Sequence, residues 1–284
     1  MNSSHVFTPA PPPARARWTL SDIDFSAIRH DQVRGDEQLF YLLVCASFVE
    51  ILADLYTGNL AARYADDAQA SGWLREHWQH EEVQHGHALQ AYVRAAWPDF
   101  DWERAYAGFA TEYGAMCTME QLEPSRALEM AARCVVEVGT ATLYRSLEQA
   151  AREPVLRGLL ARIKADEVAH YKQFQRLYER YGASEKPGFW RVFRAVARRL
   201  LEARGEDSAI AYKHAYLGRH PDAGLAEQQA AWRGFQRALG PWARRHYPYR
   251  MAVSMLLAVL PLPALVRRGA QRPLVGMARL VLFG

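Results

Sequence analysis

The chain has 284 residues, 50% of them hydrophobic, with a formal net charge of +4 and a pI of about 9.0. That length supports one large core, or one domain with an extension, and so mild a positive balance gives no ground for a nucleic-acid partner. Three cysteines, Cys45, Cys117 and Cys134, without CxxC spacing, fit a reducing, cytoplasmic setting and read as small core residues, not as a disulfide scaffold.

In chain order, residues 1–32 open with a polar stretch and the run Pro9, Pro11, Pro12 and Pro13. With no apolar signal core, they read as a flexible Pro-rich arm. Strand patterns are almost absent beyond it, so the expectation is an all-α protein. A first long helix is expected from Asp36 to Tyr64 and a second from Ala68 to Trp97, stopped by Pro98. A shorter amphipathic crossover follows from Trp102 to Cys117, and a third long helix from Ser125 to Glu153. Pro154 opens the fourth, because its missing N–H costs nothing in a first turn; Gly182 is the expected cap after Tyr181. Residues 33–182 thus form a four-helix bundle.

Residues 183–284 read as a helical extension, joined by a linker over Ala183–Gly188 and broken near Gly218–Gly224 and at Gly240-Pro241. Arginines crowd it at 191, 194, 198, 199 and 204, and again at 233, 237, 244, 245 and 250. They read as solvated helix faces, with docking to an acidic partner or anionic lipid as the alternative. The apolar run Met251–Val266 is interrupted by Pro261 and Pro263 and closed by Arg267-Arg268. It falls short of the roughly 20 residues a spanning helix needs. Packing on the bundle is the preferred reading, and peripheral membrane contact through this tail is the other.

The chemistry lies in six residues. Glu50 is the only charge between Leu39 and Ala53, and Glu137 the only charge between Cys134 and Tyr144. A carboxylate in such a helix loses several kcal/mol of hydration (of order 3–5) unless it is paired or metal-bound. The second and fourth helices each carry Glu-x-x-His, as Glu82 with His85 and Glu167 with His170; no other histidine has a Glu three residues before it. Residues three apart share a helix face, so a carboxylate and an imidazole can converge on one ion. One such element per helix is the pattern of di-iron and di-manganese carboxylate bundles. Four carboxylates suit two divalent cations, and the mixed O and N donors suit Fe, with Mn or a mixed Mn/Fe pair as alternatives. His80 and His87 fall away from this face. Gly139 either leaves room for a substrate or allows close helix packing, the latter preferred. Phe40, Phe48, Leu52, Val136, Leu143 and Val168 are candidates to line an apolar pocket.

The second helix reads Trp78-x-x-Glu81-Glu82-x-x-His85-Gly86-x-x-Leu89-x-x-Tyr92, and the fourth Asp166-Glu167-x-x-His170. With these motifs the stretch from Asp36 to Tyr181 resembles the ferritin-like di-iron superfamily, and within it the soluble acyl-carrier-protein desaturases. Gln84 stands where that family carries Arg, and Val168-Ala169 where it carries basic residues. The resemblance implies that Glu81 and Asp166 hold the ring N–H groups of the ligating histidines, with Trp78 packed beside them. It also implies that Thr140, three residues after Glu137, helps deliver protons at the oxygen side of the metals. The implied function is a dioxygen-dependent non-haem di-iron oxidoreductase acting on a hydrophobic, acyl-carrier-bound substrate, desaturation first and hydroxylation second. No flavin or iron–sulfur motif is visible, so an external donor such as a ferredoxin-type reductant is expected. A homodimer is typical of the family. The alternative is a ferritin-like ferroxidase or iron-handling protein.

Overall fold

A computed structural model describes residues 17–116, 122–202 and 206–282, and among them the chain is helical throughout, with no strand. Helix α1 (Glu37–Ile51) starts where the Asp36 carboxylate accepts from the Leu39 N–H. It is apolar nearly all round, which suits a helix enclosed on every side. Helix α2 (Ala53–Arg63) follows after Leu52, whose φ of −78° and ψ of 4° interrupt the α1 geometry. The helix expected over Asp36–Tyr64 is therefore two, divided just after Glu50.

Helix α3 (Ala68–Trp73) passes through a π-helical turn (Leu74–Trp78) into α4 (Gln79–Ala96). The long helix expected here exists, and the wide turn resets its facing before the first Glu-x-x-His. The crossover α5 (Trp102–Gly114) ends short of Cys117, which lies outside the described residues. Helix α6 (Arg126–Ala150) is capped by the Ser125 hydroxyl on the Leu128 N–H, and α7 (Pro154–Glu185) by the buried Glu153 carboxylate on the Val155 and Leu156 N–H groups. Glu153 thus belongs to the start of the fourth long helix, not to the end of the third.

Gly182 does not end α7. The helix runs on to Glu185 and closes at Lys186, which takes the left-handed conformation at φ 45°. Tertiary bonds hold this extra turn: the Glu185 carboxylate accepts from the Ser125 hydroxyl and the Ala127 N–H at the start of α6.

Helices α8 (Phe189–Glu202), α9 (Glu206–Arg219), α10 (Leu225–His246), α11 (Tyr249–Val259) and α12 (Ala264–Val281) form the extension. Gly240-Pro241 does not break α10, and Pro273 lies inside α12. Both prolines are exposed, where water can satisfy the carbonyl each leaves without an N–H.

The bundle is two antiparallel-type pairs, α1 along α4 and α6 along α7, with α4 also meeting α7. Helices α5 and α9 pack together over α1, while α8 and α11 pack on α6. Of the arm expected over residues 1–32, residues 1–16 with the proline run lie outside the described residues, while residues 17–32 are packed. They make three short 3-10 turns (Leu20–Asp22, Phe25–Ala27 and His30–Gln32), and Trp18 and Ile28 are buried in the core.

Candidate metal centre

Each helix supplies its share of the centre for a local reason. Glu50 sits in the last turn of α1, Glu137 midway along α6, and the two Glu-x-x-His pairs each occupy one face, on α4 and α7. Gly86 lets α1 and α4 close together at this level. A Cβ on it would stand 2.4 Å from Ile51 Cγ1 and 2.6 Å from the Ile51 backbone nitrogen. The residue beside His85 is glycine because the α1 backbone fills the space of a side chain.

All six predicted ligands are buried, none more than 5% exposed. Their ligand-capable atoms form two groups, Glu50–Glu82–His85–Glu167 and Glu82–Glu137–Glu167–His170, each with its atoms within 4.8 Å of one another. Glu82 and Glu167 belong to both. His85 Nδ1 lies 3.1 Å from Glu167 Oε1, and His170 Nδ1 lies 3.2 Å from Glu82 Oε1 and 3.7 Å from Glu137 Oε2. The arrangement has two adjoining foci. Each has one Glu and one His of its own, and the two share a pair of carboxylates.

Within this cluster His85 Nδ1, His170 Nδ1, Glu137 Oε2 and Glu167 Oε1 are buried and accept or donate no hydrogen bond. Leaving such atoms unsatisfied costs about 1–3 kcal/mol each. Cations between them would satisfy all four at once, and a carboxylate–imidazole donor set fits transition metals that accept O and N ligands. The residues present therefore fit a metal centre.

The electrostatics agree. Burial, then the neighbouring Glu82 and Glu167 charges, push Glu50 well above the usual carboxylate range. Burial does the same to Glu137, against the pull of the neighbouring His170. Burial opposes charge on His85, yet the neighbouring Asp166 and Glu167 carboxylates carry it up to about 9. His170 is raised in the same way, chiefly by Glu137. Without cations the cluster holds protons to limit its negative charge, which is the role two divalent ions would take over.

Around the centre, His85 Nε2 lies 3.2 Å from Asp166 Oδ2 and His170 Nε2 lies 2.7 Å from Glu81 Oε2. The acids cross over: each stands before one Glu-x-x-His and holds the histidine of the other. With Nε2–H donating outward, both Nδ1 atoms present lone pairs inward, as a metal ligand requires. Trp78 Nε1 donates to Glu137 Oε1 at 3.1 Å, so its role is a hydrogen bond to a carboxylate rather than packing beside the acids alone. The Thr140 hydroxyl donates to Glu167 Oε2 at 2.7 Å. His80 and His87 are exposed, away from the centre.

Three contributors were not foreseen. The Tyr144 hydroxyl donates to Glu50 Oε1. Asp166 accepts from Trp18 Nε1 at 2.7 Å and from Arg17 Nη1 at 2.8 Å. Gln84 Nε2 in turn donates to the Trp18 carbonyl at 3.1 Å, and the Trp18 ring stacks near His85 with centroids 6.0 Å apart. Tyr144 had a signal, since 137, 140 and 144 recur on one helix face; Trp18 had none.

Of the six apolar candidates, Phe40, Phe48 and Leu52 are core, whereas Val136, Leu143 and Val168 are only partly buried. Gly139 is exposed, and a Cβ there would meet no atom within 4 Å, which overturns the helix-packing reading of this glycine. Compared with protein-family models, with curated proteins and with solved structures, the chain finds no match. What fold and site define is a class: an all-helical protein with a buried carboxylate–imidazole cluster able to hold metal.

Proposed function

We propose that the chain is a ferritin-like di-iron oxidoreductase that uses dioxygen to desaturate a hydrophobic, acyl-type substrate. The observation that carries this reading is the pair of overlapping ligand groups sharing Glu82 and Glu167. Glu50 and His85 complete one iron position, and Glu137 and His170 the other. When bound and reduced, such an iron pair supplies the redox chemistry needed to attack an unactivated C–H bond. Removing two hydrogens from the substrate, with two electrons from an external ferredoxin-type donor and two protons from solvent, reduces dioxygen to two waters.

The remaining work falls to the chain itself. Thr140 holds a proton 2.7 Å from Glu167 Oε2, at the carboxylate common to both positions. Asp166 and Glu81 fix the imidazoles, and Tyr144 and Trp78 fix Glu50 and Glu137. Substrate approaches along the incompletely covered face of α6, where Val136, Gly139, Thr140 and Leu143 recur with helical spacing beside the face that carries Glu137. That strip is apolar except for the hydroxyl, which suits an alkyl chain.

The test is turnover. Reduced, iron-loaded protein is mixed with dioxygen and acyl chains on a carrier, and the lipid is analysed by mass spectrometry. A new double bond is expected, and Gly139→Phe is expected to abolish it while leaving iron content unchanged. Iron oxidation with dioxygen uptake, but no change in any of a broad substrate panel, would replace this reading with ferroxidase activity.

A further inference from the structure

Helix α12 packs on α11 at the outside of the molecule, and its two sides differ in chemistry. At about 3.6 residues per turn, Ala270, Leu274 and Ala278 turn toward the protein. Leu265 and Val266 in its first turn and Met277, Leu280 and Val281 in its last turns lie on the adjoining flank, with Leu265 81% and Leu280 83% exposed. Arg268, Arg272 and Arg279 line one edge of that strip, all exposed. Helix α8 repeats the arrangement. Val192, Ala195 and Val196 are buried, while Trp190, Phe193, Leu200 and Leu201 face outward beside the exposed Arg191 and Arg194. Helices α8 and α11 both pack on α6, and α12 packs on α11.

Single exposed apolar residues are ordinary, but five on one helix, with four more on α8, mark a surface with something to cover it. No described helix is long and apolar enough to cross a membrane. A second copy meeting this one face to face would set arginine against arginine, because residues 228–284 carry nine arginines and no Asp or Glu. An acidic protein would match the arginines but not the aliphatic strip. A surface that is apolar within and negative at its rim matches both, and an anionic bilayer is such a surface.

We propose that α12, together with α8, seats this protein on anionic lipid, with the aliphatic strip among the acyl chains and the arginines at the lipid phosphates. The seat is independent of the metal reading: it uses none of the residues around the centre.

Vesicle co-sedimentation of the full chain tests this. Binding is expected to phosphatidylcholine vesicles with about one-quarter phosphatidylglycerol, falling by about ten-fold or more on pure phosphatidylcholine. The double variant Leu265→Glu/Leu280→Glu and the triple variant Arg268→Gln/Arg272→Gln/Arg279→Gln should each lose a comparable factor while keeping wild-type circular dichroism. These positions are exposed, and of them only Arg279 has a ring contact, with Tyr249 at 5.7 Å, so the circular dichroism check is part of the test. Absence of binding to the anionic vesicles at low salt would overturn the proposal. So would loss in the arginine variant alone, which would mark an electrostatic dock for an acidic protein. A dimer that the leucine variant dissociates, with no vesicle binding, would assign the strip to a second copy and equally overturn it.

Discussion

Asp166 shows how much of this centre rests on single bonds. Its two oxygens take Arg17, Trp18 and His85, so the indole of a residue 148 positions away fixes the acid that fixes an imidazole. Trp18→Phe keeps the ring and deletes the donor. Partners at this remove from a metal typically change its affinity by about 10–100-fold. The variant is therefore expected to bind iron about ten-fold more weakly with an unchanged melting profile for the metal-free form. Equal affinity in a competition titration would show that Arg17 alone suffices. The six ligands themselves were legible in the sequence because burial makes a lone acid in an apolar helix conspicuous, and because Glu-x-x-His occurs twice at helical spacing. Trp18 was not legible, since nothing local ties a tryptophan near residues 9–13 of proline-rich chain to a carboxylate on α7. Tyr144 lies 94 positions from Glu50, yet its place on the Glu137–Thr140 face was readable from periodicity alone.

At the scale of elements, existence was readable and continuity was not. The main helices appear where apolar spacing and caps place them. The division after Glu50, the π-helical turn before Glu82 and the passage of α10 through Pro241 depend on packing and hydration that local sequence does not encode. One buried acid outside the centre ties three elements together. Glu129 on α6 accepts from the Glu123 N–H and from Arg133 Nε, both at 2.7 Å, and faces Arg199 of α8 at 4.0 Å. Burial opposes its charge, but Arg133, the Glu123 amide and Arg199 outweigh it and hold the carboxyl below its ordinary range. A carboxylate depressed by folding stabilises above its unfolded pKa, about 4.3, and loses that contribution as pH falls through the folded value. Glu129→Gln should thus lower stability by about 3 kcal/mol at pH 7, by removing the buried carboxylate that Arg133 and Arg199 face. The deficit should shrink below about pH 4. Urea unfolding at pH 7 and pH 3 checks this; the same deficit at both would mean the charge contributes nothing.

Across the whole molecule, four helices and a folded N-terminal segment converge on one buried point. Glu50 and Glu137 are held there against their preference for water, with two imidazoles locked by outward acids. Such a point is unstable when filled only by protons and stable when filled by cations, so the fold and the metals are expected to support each other. The sharing of Glu82 and Glu167 makes this claim specific. Iron content measured on anaerobically purified chain should be about two ions per molecule. Glu50→Ala should retain about one ion, and Glu82→Ala or Glu167→Ala should retain none, because each removes a ligand from both positions. A correctly folded wild-type chain that takes up no transition metal, or a Glu167→Ala chain that still holds two ions, would contradict it.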